Sequence, residues 1–111
     1  MSENLTIDES THDRYRRAQT LIELGLVIEA AQVAAPLEKY ESLPESYLEL
    51  LARIYFNSAQ LNKAERVLRR LIEQNPANGW AHRVLARTLY RRNEKVESAR
   101  FHRIADGFGV A

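Results

Sequence analysis

Small residues recur along this chain at an interval of 34 positions, and that interval limits the fold more than any other feature. Ala18, Ala52 and Ala86 share one register, and Ala30, Ala64 and Ser98 share another. Large apolar residues keep step with them: Leu21, Tyr55 and Leu89, then Ile22, Phe56 and Tyr90. Where two helices cross closely only a small side chain fits, and a large neighbour fills the space beside it. From Thr11 onward apolar residues follow helical spacing, and no segment alternates with period two. Each unit therefore reads as two helices of three to four turns joined by short connections, an antiparallel hairpin. A chain of 111 residues suffices for one domain of three such hairpins and is too short for two domains. The expected fold is all-α, a solenoid of three stacked helix hairpins.

Punctuation residues divide the chain into six helices. Ser10 with Asp13 can open the first, and Gly25 can close it, because glycine takes the left-handed cap without penalty. The second is expected from Val27 to Tyr40 with a kink at Pro36, since an interior proline removes a backbone bond at about 3 kcal/mol. Ser42 and Glu45 form a capping box around Pro44 at the start of the third. Asn57-Ser58-Ala59-Gln60 breaks it, and Asn62 with Glu65 can cap the fourth. Asn75-Pro76-Ala77-Asn78-Gly79 is the clearest turn, with Asn78 capping a fifth helix that ends near Asn93. The sixth is expected from Lys95 to Asp106, stopped by Gly107. Its register has two readings. The strict period puts Ser98 at the small position, and one extra residue near Glu94 puts Ala99 there. The resulting layout is a polar tail over 1–10, three repeats over 11–44, 45–78 and 79–106, and a short C-terminal tail over 107–111.

Composition removes several classes of function. The chain has no cysteine, so disulfides, thiolate metal sites and cysteine nucleophiles are excluded. A net charge of +1 gives no strong field toward nucleic acid or a membrane surface. Apolar runs such as Leu26-Val27-Ile28 are far too short to span a bilayer. Met1 to Leu5 is neither basic nor apolar, so no signal peptide is read there and a cytoplasmic protein is expected. His12, His82 and His102 fall in three different helices and no pair has the spacing of a helical metal site. There is no phosphate loop or dinucleotide motif. No catalytic residue, metal or cofactor is expected, and the chain does not read as an enzyme.

In the middle unit Leu48, Leu51-Ala52, Tyr55, Leu61, Ala64, Leu68, Leu71 and Pro76 stand at fixed spacing. With this pattern the chain resembles the tetratricopeptide repeat family from Thr11 to Asp106. The outer units match less well: Arg14 and Arg17 occupy positions where large apolar residues are usual. The resemblance implies a right-handed superhelix whose first helices line a concave groove that receives a segment of another protein. The groove positions it implies are Tyr15, Gln19, Ile22 and Glu23, then Glu49, Arg53, Phe56 and Asn57, and finally Trp80, Arg83, Arg87, Tyr90 and Arg91. Where the chaperone-binding branch clamps a terminal carboxylate, this chain has Tyr15, Gln19, Leu50, Trp80 and Val84, a departure from that branch.

Arg83, Arg87 and Arg91 fall at i, i+4 and i+8 of one helix. Like charges at that spacing destabilise a helix by roughly 0.2–0.5 kcal/mol per pair, so helix stability does not account for them. With Arg53 they would form a basic strip beside Phe56, Tyr90 and Trp80, suited to an acidic peptide with apolar anchors. The bland alternative is a solvated face of good helix formers. Glu23, Glu49, Glu65, Glu73 and Glu94 interrupt the positive surface, so nucleic acid is not the expected partner. The tail carrying Glu3, Asp8 and Glu9 would visit the strip as an internal competitor. Trp80 reads equally as a packed residue and as a groove-edge anchor, and His82 as a packed core histidine. Phe101, Ile104 and Phe108 form a stripe on the last helix that a two-fold homodimer could bury; under the strict register Phe101 and Ala105 instead fill the chain's own core and only Ile104 and Phe108 stay exposed. The principal expectation is a protein-binding groove. The alternative is a structural or self-associating subunit that uses its open last face.

Overall fold

The computed structural model describes residues 8–111. It contains α1 (Glu9–Glu23), α2 (Val27–Ala34), a 3-10 helix (Ala35–Lys39), α3 (Glu45–Asn57), α4 (Leu61–Gln74), α5 (Gly79–Arg91) and α6 (Lys95–Gly107), and no strand among the described residues. The helices pack as hairpins α1–α2, α3–α4 and α5–α6, each stacked on the next, in a body of 40 × 31 × 23 Å.

The repeat extends to the backbone of the turns. Gly25, Ala59 and Asn93, spaced by 34 residues, adopt φ of 81°, 61° and 67°. In each turn the following N–H reaches back five residues: Leu26 to the Leu21 carbonyl at 2.9 Å, Gln60 to Tyr55 at 2.8 Å and Glu94 to Leu89 at 2.8 Å. This is the Schellman arrangement, which satisfies carbonyls at a helix end while reversing the chain. The same three residues, Leu26, Gln60 and Glu94, cap the next helix without any side-chain bond. The expected Asn62–Glu65 cap is therefore not formed. The turn closes so tightly that Leu61 is already helical.

Other ends differ from expectation for equally local reasons. Asp8, not Ser10, caps α1: its Oδ1 accepts from the Thr11 N–H at 2.8 Å, and this bond holds the Asp8 carboxyl below the usual carboxylate range. The expected tail over 1–10 thus ends in a helical start at Glu9 and Ser10; residues 1–7, with Glu3, lie outside the described region. The cap of α3 is Pro44, whose carbonyl accepts from Tyr47 and Leu48 at 3.0 and 3.3 Å, and no side chain, Ser42 included, caps it. Pro36 does not kink a long helix but ends α2. Lacking the N–H that an α-helix needs there, the chain tightens into the 3-10 turn, which buries Leu37. Asn78 caps α5 as expected, its Oδ1 accepting from the Ala81 N–H at 3.0 Å. Gly107 is the last helical residue of α6, and Gly109 (φ 75°) makes the turn, with Val110 N–H donating to Ala105 at 3.2 Å.

Ala18, Ala30, Ala52, Ala64 and Ala86 are completely buried, as close helix crossings require. Ser98 takes the sixth small position. It is buried, and its hydroxyl donates to the Ala86 carbonyl at 2.7 Å, while Ala99 is exposed. The strict period therefore continues to the last helix. Ionic links join successive hairpins: Glu38 with Arg66 at 2.5 Å, Arg69 with Glu97 at 2.9 Å, and Arg92 with Glu65. Burial raises the Glu38 carboxyl, but hydrogen bonds from Arg66 and Tyr55 outweigh it and leave the group below its ordinary value. The Tyr55 hydroxyl, buried and donating to Glu38 at 3.0 Å, is pushed well above the usual phenol range.

Candidate functional site

Two helices supply the candidate partner site. α3 and α5 run side by side in the stack, and six of their residues, Arg53, Phe56, Asn57, Trp80, Val84 and Arg87, line a cleft of about 240 Å³. The first three sit at the C-terminal half of α3 at i, i+3 and i+4, one helical face. Trp80, Val84 and Arg87 follow the matching i, i+4, i+7 spacing on α5. The turn that orients α5 is held from below: Asn78 Nδ2 donates to Glu45 at 2.6 Å and to Glu49 at 2.8 Å while its oxygen caps the helix. Arg91 extends the site, its guanidinium 4.9 Å from the centroid of the Phe56 ring.

Electrostatically the cleft is positive. Arg53 and Arg87 are exposed and, among the described residues, neither takes part in an ion pair. Phe56 and Trp80 are half-buried, packed on the core with one side toward the cleft. The arrangement offers two guanidinium forks beside two aromatic faces, which suits a carboxylate flanked by an apolar side chain.

Several residues expected in the groove are engaged elsewhere. Tyr15 lies flat on Tyr47, centroids 4.1 Å apart and planes at 8°, so it glues the first hairpin to the second. His12 shares a 3.0 Å hydrogen bond with the hydroxyl of the same Tyr47. Glu49 serves Asn78, and Gln19 is half-buried on α1 away from the cleft lining. Tyr90 is 57% exposed beneath the Lys95 ammonium at 5.3 Å, outside the cleft.

Arg83 breaks the expected arginine line. Its guanidinium turns to the last helix and the segment after it, donating to His102 Nδ1 at 2.6 Å, to Asp106 at 2.5 Å and to the Val110 carbonyl at 2.7 Å. Burial and the adjacent Arg83 charge together hold the His102 imidazole below its ordinary value, with Asp106 opposing. Helical spacing alone placed Arg83 beside Arg87, and the competing acceptors on α6 decide otherwise. Val84, by contrast, walls the cleft although only its match to the chaperone-clamp position marked it in the sequence.

The C-terminal stripe is also divided. Phe101 is buried and, with Phe108, stacks against His82 at ring separations of 5.8 Å; its place is in the chain's own core, not on an open face. His82 is buried too, bonded through Nε2 to the Pro76 carbonyl at 2.8 Å. Only Ile104 (37%) and Phe108 (48%) remain exposed. Among the described residues no three His, Asp or Glu side chains converge as metal ligands, and no helix is long and apolar enough to cross a membrane.

Three stacked helix hairpins in one register, with a cleft between neighbouring first helices, define a helical-repeat solenoid. Residues 44–88 match the family model of the tetratricopeptide repeat, and the match supports the resemblance read from the sequence. It covers the whole middle hairpin and the N-terminal part of α5, the stretch that contains every residue of the cleft. Repeats of this family are in general modules for protein–protein interaction rather than catalysis. Among curated proteins none matches the chain.

Proposed function

We propose that the cleft between α3 and α5 binds a segment of another protein, acidic with an apolar anchor. The observation that carries this reading is the convergence of Arg53 and Arg87, both without ionic partners among the described residues, on the half-buried rings of Phe56 and Trp80. The rings would take the apolar side chain, and the guanidinium forks a neighbouring carboxylate. Arg91, already stacked on Phe56, would add a third positive group at the edge.

Trp80 is the only tryptophan in the chain, so its emission reports directly on the cleft. Peptides pairing Asp or Glu with Leu or Phe should shift that emission in a saturable titration. Arg87→Glu should weaken the same peptides about tenfold or more, as loss of a charge-assisted contact and its replacement by repulsion imply, with helicity unchanged. A preference for basic peptides, or indifference to the reversal, overturns the reading.

A further inference from the structure

The two most exposed large apolar side chains, Val96 on α6 (88%) and Leu24 at the end of α1 (67%), stand at opposite ends of the stack. The repeat relates their surroundings. Leu24 is equivalent to Ser58 and Arg92, one and two periods of 34 residues later, and each of these lines a cleft at the junction with the preceding hairpin. Ser58 lines the cleft of the first junction together with Ile28 and Ala31. Arg92 lies beside Gln60 to Lys63 and pairs with Glu65 at the second. On α6 the corresponding surface is an open cleft whose lining includes Val96, Glu97, Arg100 and Arg103 and comes from α6 and the turn before it alone.

We propose that a second copy of this chain docks head to tail on this surface, its first hairpin taking the position of a fourth repeat. The chain's own junctions supply the argument for that occupant. Ser58 facing Ile28 and Ala31 across the first cleft becomes, two junctions further, Leu24 of the second copy facing Val96 and Ala99. The exposed apolar residues of the two ends thereby cover each other. The 2.9 Å ion pair of Arg69 with Glu97 becomes Arg103 with Glu29 of the second copy. Arg103 and Glu29 are both exposed, and among the described residues neither is in an ion pair. The contact is weaker than the internal ones. The outward side of α1 carries Asp13, Arg16 and Thr20 where the inner junctions bury Tyr47, Leu50 and Ile54 or Ala81, Val84 and Thr88. Association is accordingly reversible and weakened by salt. A head-to-tail contact does not close on itself, so it builds open chains and not a fixed dimer.

Sedimentation of the full chain over a dilution series tests this. Wild type should show an average mass that keeps rising with concentration past that of a dimer. Glu29→Arg and Arg103→Glu should each weaken association by about tenfold, since each replaces an attraction by a repulsion at the junction. An equimolar mixture of the two variants should associate again, because both junctions between unlike variants pair opposite charges. Circular dichroism checks that each variant remains helical. A monomer at all concentrations, a mass that levels off at two chains, or a mixture no stronger than either variant alone overturns the proposal. So does association that Phe108→Asp abolishes while both charge reversals leave it intact, which would place the contact on the other side of α6.

Discussion

Ala59 carries a backbone conformation that its side chain disfavours. At φ 61° it stands in the left-handed region where the equivalent turns use Gly25 and Asn93. An L-residue there costs roughly 1–2 kcal/mol, and glycine's greater freedom in the unfolded chain offsets about 0.4–1 kcal/mol of the relief. Ala59→Gly should therefore raise stability by about 0.5–1 kcal/mol, read as a higher denaturation midpoint, whereas Gly25→Ala should lower it. If Ala59→Gly lowers the midpoint, the turn is not held as described. The turn was legible only as a break, because nothing about alanine signals φ > 0. The period, applied to Gly25, was the one clue. Arg83 shows the same limit: spacing puts it on the line of Arg87 and Arg91, but acceptors on α6 and in the C-terminal segment capture it.

At the scale of helices the small residues decide most. Ala52 is fully buried at the crossing of α3 with its hairpin partner, with Leu48, Leu51 and Tyr55 filled in around it. Ala52→Leu should overpack the hairpin and cost about 1–3 kcal/mol in a thermal or urea melt, and a variant as stable as wild type would contradict the crossing. Six helices, their order and their pairing follow from the sequence because Ala, Gly, Pro and Asn mark crossings and turns through steric rules that act within a few residues. Helix starts followed less well. The caps expected at Ser42 and Asn62 are absent because Pro44 and the Schellman turn at Ala59 set the entry geometry without a side-chain oxygen. Half of the candidate site follows in the same way. Arg53, Phe56, Asn57, Trp80, Arg87 and Arg91 come together because they lie on facing strips of adjacent repeats. Tyr15 and Glu49 are lost to it through partners, Tyr47 and Asn78, that no helical spacing identifies.

At the scale of the molecule, the start of α5 and the last residues of the chain meet at Gly79. A Cβ at this position would lie 2.4 Å from Val110 Cγ2 and 2.8 Å from Phe108 Cβ. Glycine there serves close approach, since the turn itself is set by the Asn78 cap. Around that contact Phe108 stacks on His82 and Arg83 holds the Val110 carbonyl, so the C-terminal segment closes over the last hairpin. Gly79→Ala must push the segment away and should cost about 1–3 kcal/mol, more than the gain in helix propensity of at most about 1 kcal/mol restores. In a chain ending at Gly107 the clashing atoms are gone, and the same substitution should cost nothing or stabilise. The difference between the two backgrounds is the coupling energy of the start of α5 with the C-terminal segment. Equal effects of Gly79→Ala in the full and shortened chains would show that the two do not touch in solution.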